Sequence, residues 1–453
     1  MAGASWDLAI VGAGAAGLMT AIQAARHAPS GARILLLDAR PKIGAKILMS
    51  GGTRCNVTHQ QVTEKDFETE EGRVLRDILK NFSSEKTVEF FHGLGVDLLL
   101  EPGGKYFPST HSARTVLDAL LQECERAGVR LETEKKVTQI MRRHPEPFAR
   151  HPERSSAQGR LREGSEILRP FGPQDDNFFE ITGKEFSFYA KTVVLCTGGL
   201  SYPATGCDGL GYEIAKSFGH SLIFTTPALT PLQTDDADWK SLSGVTLPVR
   251  LTLWTGSKKQ AVFEDSFLFT HFGFSGPAAL NISRHWIRRE EKSSRKLTGN
   301  FLPSETEEDF RKALAAAAQK YPNRRLKSII SEKVPERFAE VFLRKLGIPD
   351  AVILNQLKRG ERELLVRSLF HFPLSVTGVV GYGKAEATAG GVDLSEVHPK
   401  TLESKLQPGL FFAGEILDVD GRIGGFNFQW AWSSGFAAGR AAAQKSGGNH
   451  ETK

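Results

Sequence analysis

Cysteine is scarce in this 453-residue chain. The four present, at positions 55, 124, 196 and 207, are too widely spaced for a disulfide framework or a metal-ligand cluster. No Cys-x4-Cys pair occurs, which argues against a disulfide reductase. No zinc-ligand spacing, Walker loop or Ser-His-Asp wording is present to support a hydrolase or a kinase. No apolar run reaches the roughly 20 residues of a membrane-spanning helix. The apolar stretch Leu8 to Met19 lacks the basic flank of a signal peptide, and its glycines have another explanation. Charge is only mildly unbalanced, at +6 with a pI near 9.0. That excess permits an anionic partner such as RNA, but a soluble enzyme that happens to be basic satisfies it as well. The expectation is a cytoplasmic protein that uses no metal and no membrane.

What is present begins at Trp6-Asp-Leu-Ala-Ile-Val-Gly12-Ala-Gly14-Ala15-Ala16-Gly17-Leu, a GxGxxG fingerprint in full context. Leu8 to Val11 read as a buried strand and Leu18 to Arg26 as an alanine-rich helix. Ile34 to Leu37 form a second strand, ending in Asp38 about twenty residues after the third glycine. Gly12 permits the tight turn, Gly14 lets backbone approach a pyrophosphate, and Gly17 packs helix on strand. The pyrophosphate then faces a helix N-terminus, whose free N–H groups and dipole favour anions. The motif implies an adenine dinucleotide. A second fingerprint is missing, because Gly206-Cys-Asp-Gly209-Leu-Gly211 has the wrong order and follows no clear strand. A nicotinamide would therefore dock transiently, without a Rossmann domain of its own.

Three textures divide the chain. Residues 1–199 read as a Rossmann-like half, whose late strand Ala190 to Cys196 runs into Thr197-Gly198-Gly199. Within it, 142–176 is rich in Arg, Pro, Glu, Ser and Gly without apolar periodicity, and is expected to be a disordered insertion. Residues 200–300 read as a β-rich insert, since Val245, Leu247, Val249, Leu251 and Leu253 alternate with polar positions and Phe263 to Thr270 forms a further strand. Residues 301–372 read as helical, opened by a Ser304/Glu307 capping box. Many basic residues here, Arg284, Arg288, Arg289, Lys292, Arg295 and Lys296 among them, read as solvated faces. From 373 to 445 the chain returns to complete the first domain, through Leu410-Phe-Phe-Ala-Gly414-Glu415, the loop Gly424-Gly425-Phe426-Asn427, and a helix. The expected class is α/β: a Rossmann-like domain interrupted by an antiparallel-β plus helical module.

This layout resembles the FAD-binding, glutathione-reductase-like flavoproteins. The blocks Lys46-Ile-Leu-Met-Ser-Gly51-Gly52-Thr-Arg54-Cys55-Asn, Phe269-Thr-His271-Phe-Gly-Phe-Ser-Gly-Pro, Gly414-Glu415-Ile-Leu-Asp418 and Gly424 to Ser434 are similar to those of the BaiN/YhiN (RdsA) flavoproteins. The resemblance implies FAD bound by Gly12, Gly14, Ala15, Ala16, Gly17 and Asp38, by Lys46, Gly51, Gly52 and Val137, and by Thr197 and Gly198. It extends to Gly414, Glu415, Asp418, Gly424, Gly425, Phe426 and Asn427. Asp38 then holds the adenosine ribose, and the helix after Gly425 stabilises negative charge at the flavin pyrimidine.

The resemblance also implies reduction of an activated C=C bond at the expense of NADH or NADPH, with uridine in 23S ribosomal RNA preferred over a steroid-like enone. A small-amine oxidase and a non-catalytic RNA-binding redox sensor are the other readings. Such a reductase needs a proton donor and a group to polarise the carbonyl. Cys55, beside Arg54, is a candidate thiol donor, or else a small packing residue. His271 could donate or polarise, or tie a strand end. Arg54 could hold a carbonyl or phosphate, or pair within its loop.

Overall fold

The computed structural model describes residues 5–143, 178–288 and 295–447. From position 144 the expected disordered insertion lies outside the described residues. The chain forms two compact units. Unit 1 comprises 1–199, 205–223 and 390–453, and unit 2 comprises 200–204 and 224–389.

Unit 1 opens with β1 (Ser5–Val11), α1 (Ala15–His27) and β2 (Ile34–Leu37). The strands are short apolar runs with no accessible surface at Leu8, Ile10, Leu35 and Leu36, as parallel strands covered on both faces require. β3 (Arg130–Glu132) extends the sheet beyond β2. β4 (Gln139–Arg143), β5 (Phe178–Gly183) and β6 (Phe186–Leu195) complete the order β3-β2-β1-β6-β5-β4. β6 divides its length: residues 186–190 pair antiparallel with β5, and its last residues pair parallel with a strand from the far end of the chain.

Unit 2 is built on an antiparallel sheet. Its main strands are β7 (Thr246–Thr255), β8 (Lys258–Thr270) and β9 (Gly273–Ser275); α2 (Gly276–Arg288) follows, then β10 (Arg295–Asn300). Val249, Leu251 and Leu253 point into an aromatic core where Trp239 stacks on Phe269 and Phe338 at centroid distances of 5.4 and 6.1 Å. The helices Glu307–Lys320, Glu336–Lys345 and Arg359–His371 contribute Phe310, Phe338, Phe342 and Leu369 to that core.

Three expectations change here. The helix near 305 is capped by Thr306, whose hydroxyl accepts from the Asp309 amide, so no Ser304/Glu307 box forms. The return to unit 1 lies at Gly390 and not at 373, because Phe372–Leu374 is hydrogen-bonded to β10. Residues 205–223, placed by composition in the insert, fall in unit 1.

The returning chain adds β11 (Leu410–Phe412) beside β6 and ends in α3 (Phe426–Gly447). Val11 lies opposite both Leu37 and Leu195, and Leu195 lies opposite Phe412. Gly12, Asp38, Cys196 and Ala413 therefore leave the sheet at one common edge. In α/β sheets the crevice outside the carboxyl ends of the strands is where ligands bind.

α3 lies directly on α1. A Cβ at Gly435 would sit 2.7 Å from the Ala16 carbonyl oxygen, and one at Gly439 would sit 2.5 Å from that of Thr20. The two glycines are four apart and share one face of the helix. Replacing Gly439 by Ala should overpack this contact and lower the stability to urea by about 1–3 kcal/mol. An unchanged midpoint in a denaturation series would show that the helices can separate freely.

Candidate cofactor and active site

The first glycines act through space as well as dihedral freedom. Gly12 has φ +103°, and a Cβ there would strike the Cys196 carbonyl; a Cβ on Gly17 would strike the carbonyl of Gly12. Gly14 is different: nothing lies within 4 Å of its missing Cβ, so its role is to leave room. It opens α1 with no side-chain cap, and the first turn (Ala15, Ala16) holds no acid, so the free amides remain available to an anion. Asp38 holds the turn closed. Its two oxygens accept from the Ala13 amide at 2.7 Å and the Arg40 amide at 2.8 Å. Each oxygen keeps a second lone pair for a ribose hydroxyl. The Asp38 carbonyl accepts from the Lys135 amide, which brings in the segment carrying buried Val137.

Next along the edge come the β6 and β11 loops. Gly198, at φ +71°, lies against Cys207, and the buried Thr197 hydroxyl has no hydrogen-bond partner among the described residues. Gly414 is held from both sides, its amide donating to Ser434 Oγ at 2.9 Å and its carbonyl accepting from Trp430 Nε1 at 3.1 Å. A Cβ on Gly414 would lie 2.7 Å from the Ala16 methyl, so the fingerprint helix and the closing strand touch here. Glu415 pairs with Lys46 at 2.8 Å. Burial disfavours the ammonium, but the Glu415 carboxylate and a hydrogen bond with Cys207 outweigh it and hold the Lys46 pKa above the usual lysine range. Asp418 is buried, its amide donating to the Val392 carbonyl.

The third cluster joins α3 to the glycine loop after the helix Ala45–Thr53. That helix breaks at Ser50, and Gly51, Gly52, Thr53 and Cys55 all take positive φ. For Thr53 and Cys55 this strain costs on the order of 1 kcal/mol or more each, and it persists only where the surroundings impose it. They do so here. Trp432 Nε1 donates to the Val57 carbonyl at 2.9 Å, and the fully buried Gln429 accepts from Thr58 and Thr87 while donating to the Phe82 carbonyl. Gly424 and Gly425 turn the chain into α3 with φ +133° and +95°. A Cβ on Gly425 would lie 2.8 Å from Asn56 Oδ1, a buried oxygen with no hydrogen-bond partner among the described residues. The first turn of α3 holds no acid.

Two expected cofactor residues have their side chains engaged within this loop. Asn427 clamps it by exchanging hydrogen bonds with the Gly421 backbone at 2.8 and 2.9 Å. Phe426 is buried, stacked on His59 at 4.8 Å with the Arg422 guanidinium over its ring. Gln429, Trp432, Asn56 and His59 had no assigned role from sequence. The first three stand inside motif blocks, but nothing in a linear pattern says that they would meet.

The catalytic candidates separate. Cys55 has no accessible surface, and burial pushes its thiol up to about 12 despite a hydrogen bond with Ser50. The neighbouring Arg54 is engaged elsewhere. Its guanidinium is turned onto the Phe107 ring at 4.0 Å and pairs with Glu101 at 2.7 Å. Cys55 is packed in the core of unit 1, and Arg54 is engaged by Glu101 and Phe107. His271 belongs to unit 2, in the exposed turn between β8 and β9, with its ring against Phe272.

The unit 1 residues fit FAD. The open Gly14 and two helix N-termini free of acids leave space and free N–H donors, while the buried Thr197 hydroxyl and Asn56 Oδ1, without partners among the described residues, add a hydroxyl and an acceptor. Fold and site define the class, a flavoprotein oxidoreductase with a Rossmann-like FAD-binding domain. The chain belongs to the family described as the HI0933-like protein Rossmann domain, whose model matches residues 6–161 and 155–441. It is 34% identical to a ribosomal RNA dihydrouridine synthase of Escherichia coli (strain K12) over 436 residues, 95% of this chain and 96% of that one. It is 31% identical to a 3-dehydro-bile acid delta(4,6)-reductase of Clostridium scindens over 439 residues, 97% and 99% of the two chains. Among solved structures, a 3-ketosteroid Δ4-(5α)-dehydrogenase from Rhodococcus jostii RHA1 aligns with a TM-score of 0.46 and 15% identity, over 97% of each chain.

Burial makes the thiols a sensitive probe of this unit. Cys55, Cys124 and Cys196 are each pushed up to about 12 from an ordinary 9.0. Unfolded chains ionise at these positions above pH 9 and the folded chain does not, so the unfolded state binds fewer protons and stability falls as pH rises. With three such groups the slope should approach about 4 kcal/mol per pH unit between pH 9 and 12. Urea melts at stepped pH would measure it, and a flat profile would show that the thiols are accessible. In native protein at pH 8 a thiol reagent should modify only Cys207.

Proposed function

We propose that the protein is an FAD-dependent reductase that uses NADH or NADPH to saturate an activated C=C bond, with uridine in 23S ribosomal RNA as its preferred substrate. The observation that carries the reaction class is the N-terminus of α3, free of acids and fixed by Gln429 and Trp432 beside the strained Gly51–Cys55 loop. Held by these residues, FAD would supply two-electron hydride chemistry between a nicotinamide and the alkene.

The chain's own residues provide binding and charge. The amides of α1 would hold the pyrophosphate, and Asp38 would accept from the adenosine ribose. Lys46, kept charged by Glu415, adds a fixed positive group. The α3 amides stabilise negative charge at the pyrimidine edge of the flavin. For the proton delivered to the α-carbon, the exposed imidazole of His271 is the proposed donor, and burial of the Cys55 thiol supports that choice.

Preference for uridine is supported by full-length similarity to dihydrouridine synthases of two bacteria, the second of them Haemophilus influenzae at 31% identity, and by the net charge of +6. The bile-acid reductase, matched over a similar length, supports a second reading as a small-molecule enone reductase.

Anaerobic NADPH should bleach the yellow protein, and a uridine-containing rRNA fragment should restore the colour faster than an enone. The opposite order of acceptors would favour the second reading. His271→Gln should retain flavin and lower the rate of substrate reduction by about 10²–10⁴-fold, leaving nicotinamide oxidation intact. Equal rates would remove His271 from the chemistry.

A further inference from the structure

The antiparallel sheet of unit 2 has one face in the aromatic core and one outside it. On the outer face, cross-strand partners form rows. Asn300, Arg250 and Glu264 make the first, Thr298, Thr252 and Val262 the second, and Lys296, Trp254 and Lys259 the third. The first row is electrically closed, since Arg250 Nε pairs with Glu264 at 2.6 Å. The second is small and uncharged, with Val262 41% exposed. The third places a half-buried indole between two exposed ammonium groups, and neither lysine makes an ion pair with a described residue. Strand spacing sets those lysines about 10 Å apart, on either side of the ring.

The indole is held in place. Trp254 Nε1 donates to Thr298 Oγ1 at 2.9 Å, which fixes the plane of the ring over β10. Lys259 Nζ lies 5.8 Å from the ring centroid, near the outer limit of a cation–π contact, so little holds it there against a phosphate. The bulge between Leu253 and Trp254 brings Lys259 opposite the indole. Lys258 at the hairpin end adds a further exposed cation, and the Trp254 row contains no acid.

Resting on the RNA reading above, we propose that this face is a platform for single-stranded RNA, with a base stacked on Trp254 and the flanking phosphates on Lys259 and Lys296. An aromatic ring on an open sheet face, bordered by basic side chains, suits unstacked bases and tolerates any sequence. Charge complementarity selects the partner. The only acid in the three rows is already paired, so the open cations call for a polyanion, and the ring calls for one that carries planar bases.

The test uses the full-length, FAD-loaded protein and a labelled 12-nucleotide oligouridylate, with binding followed by fluorescence anisotropy over a series of salt concentrations. Trp254→Ala should weaken binding about ten-fold. Lys259→Gln with Lys296→Gln, both solvent-exposed and safe for folding, should flatten the plot of log affinity against log salt by about 1.4. Flavin content and nicotinamide oxidation should be unchanged in both variants. Wild-type affinity and slope in both would overturn the platform. So would loss of self-association in Trp254→Ala with RNA binding intact, which would assign the face to a second copy of the chain. If the wild type binds the oligouridylate through this face but reduces no uridine, the platform stands and the catalytic reading falls.

Discussion

The structure of unit 1 depends on the close approach of its first and last helices. α1 and α3 meet backbone to backbone at Gly435 and Gly439, where no side chain could fit against the carbonyls of Ala16 and Thr20. That contact brings residues some four hundred positions apart into one site. It seats Gly414 against Ala16 and lets Trp430 and Ser434 grip the Gly414 loop from the far side. Without it, the fingerprint would offer a pyrophosphate cradle and nothing to hold the rest of a flavin.

The second constraint is register. Because Val11, Leu37, Leu195 and Phe412 share one row of the sheet, four loops of unrelated sequence begin at the same height. Each spends its residues differently. The β1 loop gives space, the β2 loop a carboxylate, the β6 loop an unsatisfied hydroxyl, and the β11 loop an acid that keeps Lys46 charged. The site is thus a set of short loops on a rigid edge, and each loop can be simple because the sheet sets its position.

Much of this was legible in advance. The fingerprint, its strands and its acid follow from local spacing, and the alternation of Val249, Leu251 and Leu253 marks a half-buried strand whatever lies around it. Side-chain roles were not legible where they depend on burial. Cys55 beside Arg54 reads as a candidate thiol donor, yet burial raises the thiol pKa and the guanidinium meets Glu101 and Phe107. Asn427 reads as a cofactor ligand but closes its own loop. Gln429 passes unnoticed in a row of aromatic and small residues, and it is the buried hub that ties α3 to Thr58, Thr87 and Phe82.

The sequence alone determined the elements and the kind of cofactor, because glycine spacing, apolar period and a terminal acid act over a few residues and survive any arrangement of the rest. Only the tertiary structure decided which polar groups remain available for chemistry. Availability depends on what else is within hydrogen-bond reach and how much water remains, and both are set by neighbours distant in sequence. That is why Cys55 is enclosed, Arg54 is paired with Glu101 and Lys46 is held charged by Glu415. It is also why Trp254, one alternating residue among many, stands between two lysines contributed by the strands on either side of its own.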